Sequence, residues 1–146
     1  MRVNIRKAEK ADKNLYFAMS KEFYDSGAAK STISDDKREI FWSALFSGGA
    51  ANVYILEYDG VTAGYAVTFF YLSQEFGGNA VWIDELFVKS NFRGKGIGKR
   101  FLEFAENSNG AAIVRLEAEP DNARALKLYK SAGYENLNYL QLIKKV

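Results

Sequence analysis

The chain has no cysteine and no histidine, and it has one proline in 146 residues. Without cysteine there is no disulfide, no thiolate metal site and no cysteine nucleophile. Without histidine the commonest general base is missing, and with it a Ser-His-Asp arrangement and most transition-metal sites. Acid–base chemistry therefore falls to Asp, Glu, Tyr, Lys or ordered water. No apolar run of about 20 residues marks a membrane span. Met1-Arg2-Val3-Asn4-Ile5-Arg6 alternates as a strand does and does not read as a leader. The expectation is a protein without metal or membrane partner, located in the cytoplasm.

An excess of one charge is also lacking. Twenty basic residues face 18 acidic ones, for a net charge of +2, which argues against a nucleic-acid partner. What is abundant is core material, with 48% hydrophobic and 15% aromatic residues. That composition reads as globular, and the length reads as a single domain over residues 1–146. No repeat, low-complexity segment or linker interrupts it.

One stretch organises the rest. Trp82-Ile83-Asp84-Glu85-Leu86-Phe87-Val88 has the β-branched and aromatic content of a strand. Lys89-Ser90-Asn91-Phe92 comes next as a turn, then Arg93-Gly94-Lys95-Gly96-Ile97-Gly98. Beyond it, Ile97, Phe101, Leu102, Phe104 and Ala105 share one helical face. The glycines thus sit where a strand becomes a helix. There the first helical amides lack internal partners, the dipole is positive, and glycine admits a close ligand. This is a seat for phosphate or pyrophosphate, ringed by Lys89, Arg93, Lys95, Lys99 and Arg100. It is neither a Walker loop, which needs Gly-Lys-Ser/Thr, nor the Gly-x-Gly-x-x-Gly dinucleotide turn.

The spacing that does fit is Arg-x-x-Gly-x-Gly, at Arg93, Gly96 and Gly98. A second segment runs Asn122-Ala123-Arg124-Ala125-Leu126-Lys127-Leu128-Tyr129, then Lys130-Ser131-Ala132-Gly133-Tyr134. It reads as a helix capped by Asp121 or Asn122 and ended at Gly133. Together the two segments resemble the GNAT superfamily of acetyl-CoA-dependent N-acetyltransferases, specifically over residues 52–135.

Hydrophobic periodicity sets the other elements. A first strand covers residues 2–7, and helices cover about 9–24 and 34–46. A strand Asn52 to Tyr58 turns at Asp59-Gly60 into a return strand from Val61 to about Leu72. Ala111 to Ala118 is a strand, and residues 137–145 close the domain as a last strand. The expected fold is α/β, a mixed central sheet of about six or seven strands flanked by four helices, as in GNAT domains.

Acetyl transfer to an amine needs the ammonium deprotonated, a donor for the carbonyl oxygen, and an acid for the leaving thiolate. Asp84 and Glu85 are the candidate bases, directly or through water, and Glu85 is preferred. By plain alternation they point to opposite faces, so that only one reaches a site unless a bulge intervenes. The resemblance implies further roles. Tyr129 is the general acid, a backbone amide of Phe87 or Val88 contacts the carbonyl oxygen, and Leu86 is a cofactor-binding residue beside them. Arg93, Lys95, Gly96, Gly98 and Lys99 line the pyrophosphate, Gly94 and Ile97 are cofactor-binding residues of the same turn, and Asn122 contacts the pantetheine arm. Phe23, Tyr24, Trp42, Phe69, Phe70, Tyr71, Glu75 and Phe76 are candidates for an acceptor pocket. The function implied is acetyl transfer from acetyl-CoA to a primary amine of a small molecule. The alternatives are a protein or peptide amine, or a non-catalytic acyl-CoA sensor. The expected state is a monomer or homodimer, the latter by pairing of the last strand as in some relatives.

Overall fold

The computed structural model describes residues 2–146. Its first strand, β1, is Val3–Lys7. A single 3-10 turn then leads into α1, Lys13–Asp25. The turn is closed by the Glu9 backbone N–H donating to Asp12 Oδ2 at 2.7 Å. Ser34 caps α2, Asp35–Leu45, by accepting from the Lys37 backbone N–H. Asp35 and Asp36 occupy the positive end of that helix.

A long hairpin comes next. β2 is Asn52–Tyr58 and β3 is Val61–Ser73. Between them Asp59 and Gly60 take φ values of 50° and 79°. Two left-handed residues in a two-residue loop make the turn whose twist matches the strands, which is why Asp-Gly stands there. The sheet continues into β4, Gly78–Val88, and crosses over through α3, Ile97–Glu106, to β5, Ala111–Leu116. Last comes α4, Ala123–Ser131, capped by Asn122 Oδ1 accepting from the Ala125 backbone N–H at 3.2 Å.

The strands lie in the order β1-β2-β3-β4-β5. The first four are antiparallel and β5 is parallel to β4. Alternation along the strands feeds two cores, one on each face. Val53, Ile55, Tyr65, Val67 and Phe87 pack with Tyr16, Met19 and Phe23 of α1 and Trp42 of α2. Tyr54, Leu56, Ala66 and Ile83 pack with Ile97, Phe101, Leu102 and Ala105 of α3. Phe101 and Leu102 are fully buried. Truncating either to alanine removes about 3 kcal/mol.

The sheet has five strands, fewer than the six or seven expected. The expected last strand over residues 137–145 does not form, and that segment runs without regular structure. Its apolar residues explain this. Leu137 and Tyr139 share one parity, whereas Leu140 and Leu142 share the other, so no single face is apolar. Leu140, Leu142 and Ile143 accordingly stay in solvent, 87%, 88% and 91% exposed. Among the described residues no helix is long and apolar enough to cross a membrane.

Candidate active site

The site is made by two strands parting. β4 and β5 are paired from Asn79 and Ala111 up to Ile83 and Leu116. There β5 ends, while β4 continues to Val88. From Asp84 onward every second backbone N–H and C=O of β4 on that side has no strand neighbour. The chain leaving β5, Glu117 to Pro120, forms the opposite wall of the opening. The two walls enclose a cleft of about 1030 Å³, which is at the upper end of the range for small-molecule and cofactor sites.

A bulge sits at the same place. On the β3 side Glu85 pairs with Val67, but Ile83 pairs with Thr68, so Asp84 is an extra residue. An extra residue reverses the facing of the strand beyond it. Ile83 therefore packs with α3, whereas Phe87, four residues on, packs with α1 and α2. The opposite-face expectation for Asp84 and Glu85 fails for this reason, and both carboxylates border the cleft.

Their surroundings differ. Glu85 Oε2 accepts the Tyr24 hydroxyl at 2.8 Å and Oε1 accepts the Tyr65 hydroxyl at 2.6 Å. Burial pushes the Glu85 pKa up, against the two tyrosine hydrogen bonds, which hold it down. Burial and the Glu85 charge push both tyrosines far up, so they stay protonated and donate. Asp84 lies at the exposed mouth of the cleft. Desolvation by the walls, then the charge of Glu117, push its pKa up as well.

At the other end the cleft is basic. Gly94 and Gly96 have φ values of 76° and 78°, left-handed conformations that glycine adopts without penalty. Gly96 is the N-cap of α3, so the amides of Ile97, Gly98 and Lys99 open toward the cleft. Gly98 has another task. A Cβ there would lie 2.9 Å from Leu128 Cδ2, so this glycine lets α4 approach α3. Arg93 donates from Nε to the Val88 carbonyl at 3.0 Å, tying the basic turn to the end of β4. Burial, then the nearby Arg124 guanidinium, lower the Arg93 pKa.

Among the predicted residues, Asp84, Glu85, Leu86, Phe87, Val88, Arg93, Gly94, Gly96, Ile97, Gly98, Lys99, Asn122 and Tyr129 all border this cleft. Lys95 does not; its ammonium lies over the Tyr58 ring, 5.3 Å from the centroid. Asn122 spends its side-chain oxygen on the α4 cap, leaving its amide nitrogen for a ligand. Tyr129 is partly buried against the α3 cluster, and burial alone raises its pKa. For the acceptor pocket, Phe23 and Tyr24 border the cleft, but Trp42 stacks on Tyr16 in the core and Phe69 stacks on Trp82. Tyr71 accepts from Arg115, and Phe76 lines a separate hollow beyond β5.

Three residues missed by sequence reasoning matter here: Glu117, Glu119 and Arg124. Their signal was topological. Parallel strands joined by a helix bring their carboxyl ends to one crevice, so the residues after β5 face those at the end of β4. Among the described residues no group of His, Cys, Asp and Glu converges to hold a metal.

Relatives share this architecture. A model of the "Acetyltransferase (GNAT) family" matches residues 14–134. Thialysine N-epsilon-acetyltransferase of Bos taurus is 31% identical over 77 residues, 51% of this chain and 45% of that enzyme. The chain thus spans less than half the length of the cattle protein. The uncharacterized N-acetyltransferase YhfO of Bacillus subtilis (strain 168) is 28% identical over 139 residues, 91% of this chain and 90% of that one. Among solved structures, AAC(6')-Iy bound to a CoA bisubstrate analogue superposes with a TM-score of 0.80 at 18% identity, covering 100% of this chain and 99% of that one. A possible acetyltransferase from Clostridium difficile 630 gives 0.83 at 18%, with coverages of 100% and 99%. At such identities the likeness is one of fold. The chain belongs to the GNAT acetyltransferase family.

Proposed function

We propose that the protein transfers the acetyl group of acetyl-CoA to a primary amine of a small molecule. Glu85 serves as base, directly or through a water, and Tyr129 serves as acid. The observation that carries this reading is the bulge at Asp84, which brings both carboxylates to the cleft that Tyr129 and the glycine turn also border.

The cleft fits the cosubstrate in form and charge. Arg93, Lys99, Arg124 and the first amides of α3 would hold its phosphates. The amide nitrogen of Asn122 and the open edge of β4 would hold its arm. Bound there, acetyl-CoA supplies an activated acyl group as a thioester. The chain's part is then to prepare the amine and receive the developing charges. Asp84 and Glu117 draw the ammonium form to the mouth by charge. Glu85 takes its proton, because burial makes it a stronger base than a carboxylate in water. A β4 amide among Leu86, Phe87 and Val88 donates to the carbonyl oxygen as it gains charge. As the C–N bond forms and the C–S bond breaks, the Tyr129 hydroxyl would protonate the departing sulfur, and the second proton of the acylated nitrogen would restore that hydroxyl. Aminoglycoside and thialysine acetyltransferases among the relatives support a small cationic acceptor.

A panel of aminoglycosides, diamines, lysine analogues and peptides, assayed by release of free CoA thiol, tests the reading. Turnover of a small amine is expected. Turnover of peptide termini or lysines alone would replace the acceptor class with a protein amine. Tight binding without turnover of any amine would point to a sensor.

A further inference from the structure

The row of α2 that faces the core contains an arginine. Arg38 lies one turn before Trp42, which is buried, while Ile40 on the outer row is 71% exposed. This reverses the usual amphipathic pattern, in which the charge is outside and the isoleucine inside. Arg38 is 3% exposed and is the one charged residue in the buried set of the described residues. A buried cation is costly unless its donors and its charge are satisfied.

Its donors are partly met. Nε donates to Ser20 Oγ of α1 at 3.0 Å, and NH1 to the Ile33 carbonyl at 3.2 Å. NH1 also reaches Asp35 Oδ1 at 3.0 Å. That carboxylate is 76% exposed, so water weakens the pair. The guanidinium carbon lies over the Tyr24 ring, 6.0 Å from its centroid. The hydroxyl of that same ring donates to Glu85. Arg38, Tyr24 and Glu85 therefore run in line from the α1–α2 interface to the wall of the cleft.

We propose that Arg38 is a positioning residue for Glu85, holding Tyr24 against Oε2 and supplying the positive charge that keeps this carboxylate ionised. The proposal rests on the reading of Glu85 as base. The groups facing Glu85 are Tyr16 and Tyr24 of α1, Tyr65 of β3, Asp84 of its own strand and Arg38 of α2. Arg38 is the cation among them, and Lys30, between α1 and α2, borders the same cleft. Burial and Asp84 work to protonate Glu85, and the two tyrosine donors and Arg38 oppose them. A residue serving only to join α1 to α2 would alter stability without altering that balance.

The test is a carbon-13 NMR titration of the glutamate carboxyl carbons in the full chain, with the Glu85 signal identified by its loss in Glu85→Gln. In Arg38→Met the Glu85 midpoint should rise by about one pH unit. Arg38→Lys should restore most of the difference. Arg38→Met combined with Tyr24→Phe should move it further than either single change but by less than their sum. Where Met prevents folding, Arg38→Gln keeps a donor for Ser20, removes the charge, and carries the same expectation. An unchanged midpoint in a folded Arg38→Met or Arg38→Gln protein overturns the proposal and leaves the base assignment standing. The acid limb of kcat/KM, read with the amine found by the panel, separates the two claims. A midpoint that moves while the limb stays fixed removes Glu85 as the base and retains the effect of Arg38 on its ionisation.

Discussion

A carboxylate drawn out of water between two tyrosine hydroxyls is ionised at a cost, and Glu85 bears that cost in two measurable ways. Its folded pKa lies above the ordinary value, chiefly through burial. A raised carboxylate binds protons more readily in the folded state, so its contribution to stability is present below the unfolded pKa and fades as pH rises through the folded one. At pH 7 the charge is therefore a burden. Glu85→Gln should unfold at a higher temperature than the wild type at pH 7, with the difference closing near pH 4, as thermal melts at both pH values will show. The same substitution should lower kcat by about 100-fold, the usual scale for a general base. In the wild type, activity should fall with acid at a pH above that of an ordinary glutamate. Tyr129 is the proposed donor in the opposite proton transfer. Tyr129→Phe should cut kcat by about 100-fold while changing acetyl-CoA affinity little, a split that steady-state kinetics and a binding titration resolve. At this scale the two carboxylates were legible as charges in an apolar strand, whereas Tyr129 was singled out only by the resemblance of its helix to that of the family. The tyrosines flanking Glu85 were not, since Tyr24 and Tyr65 are 41 positions apart and meet only through the fold.

Elements fail to be legible where tertiary contacts bend them. Alternation places Asp84 and Glu85 on opposite faces, and one extra residue between the partners of Thr68 and Val67 undoes it. A bulge depends on how neighbouring strands must splay, and no local residue preference announces this one. The glycine turn was legible as a motif, but its three glycines are not equivalent. Gly94 and Gly96 answer to left-handed backbone, whereas at Gly98 a Cβ would crowd the tip of the Leu128 side chain. Gly98→Val should therefore push α4 outward, carrying Tyr129 with it, and lower both stability and acetyl-CoA affinity. Adding Leu128→Ala should recover a good part of each, as calorimetry on the single and double variants will show. No such recovery is expected for Gly96→Val, where a Cβ meets no atom and the strain lies in the backbone. The last strand fails for a different reason. Residues 137–145 are apolar enough for a strand, but their parity changes at Tyr139-Leu140.

At the scale of the whole molecule, a nearly neutral chain carries a cleft with charge in clusters. Arg93 lies near Arg124 and Asp84 near Glu117, and Lys30, Lys99 and Glu119 border the same cleft. Net charge conceals these clusters, which arise because α3 returns β5 to the side of β4. Arg124→Ala should weaken acetyl-CoA binding about tenfold and flatten its dependence on salt, while leaving amine affinity unchanged. The most direct test of a cleft built for acetyl-CoA is a calorimetric titration with it, then thiol release on addition of amine. One-to-one binding at the cleft is expected, with release of CoA thiol only when a primary amine is present. A folded protein that shows no heat of binding and no protection by acetyl-CoA would contradict the assignment of the cleft at its centre.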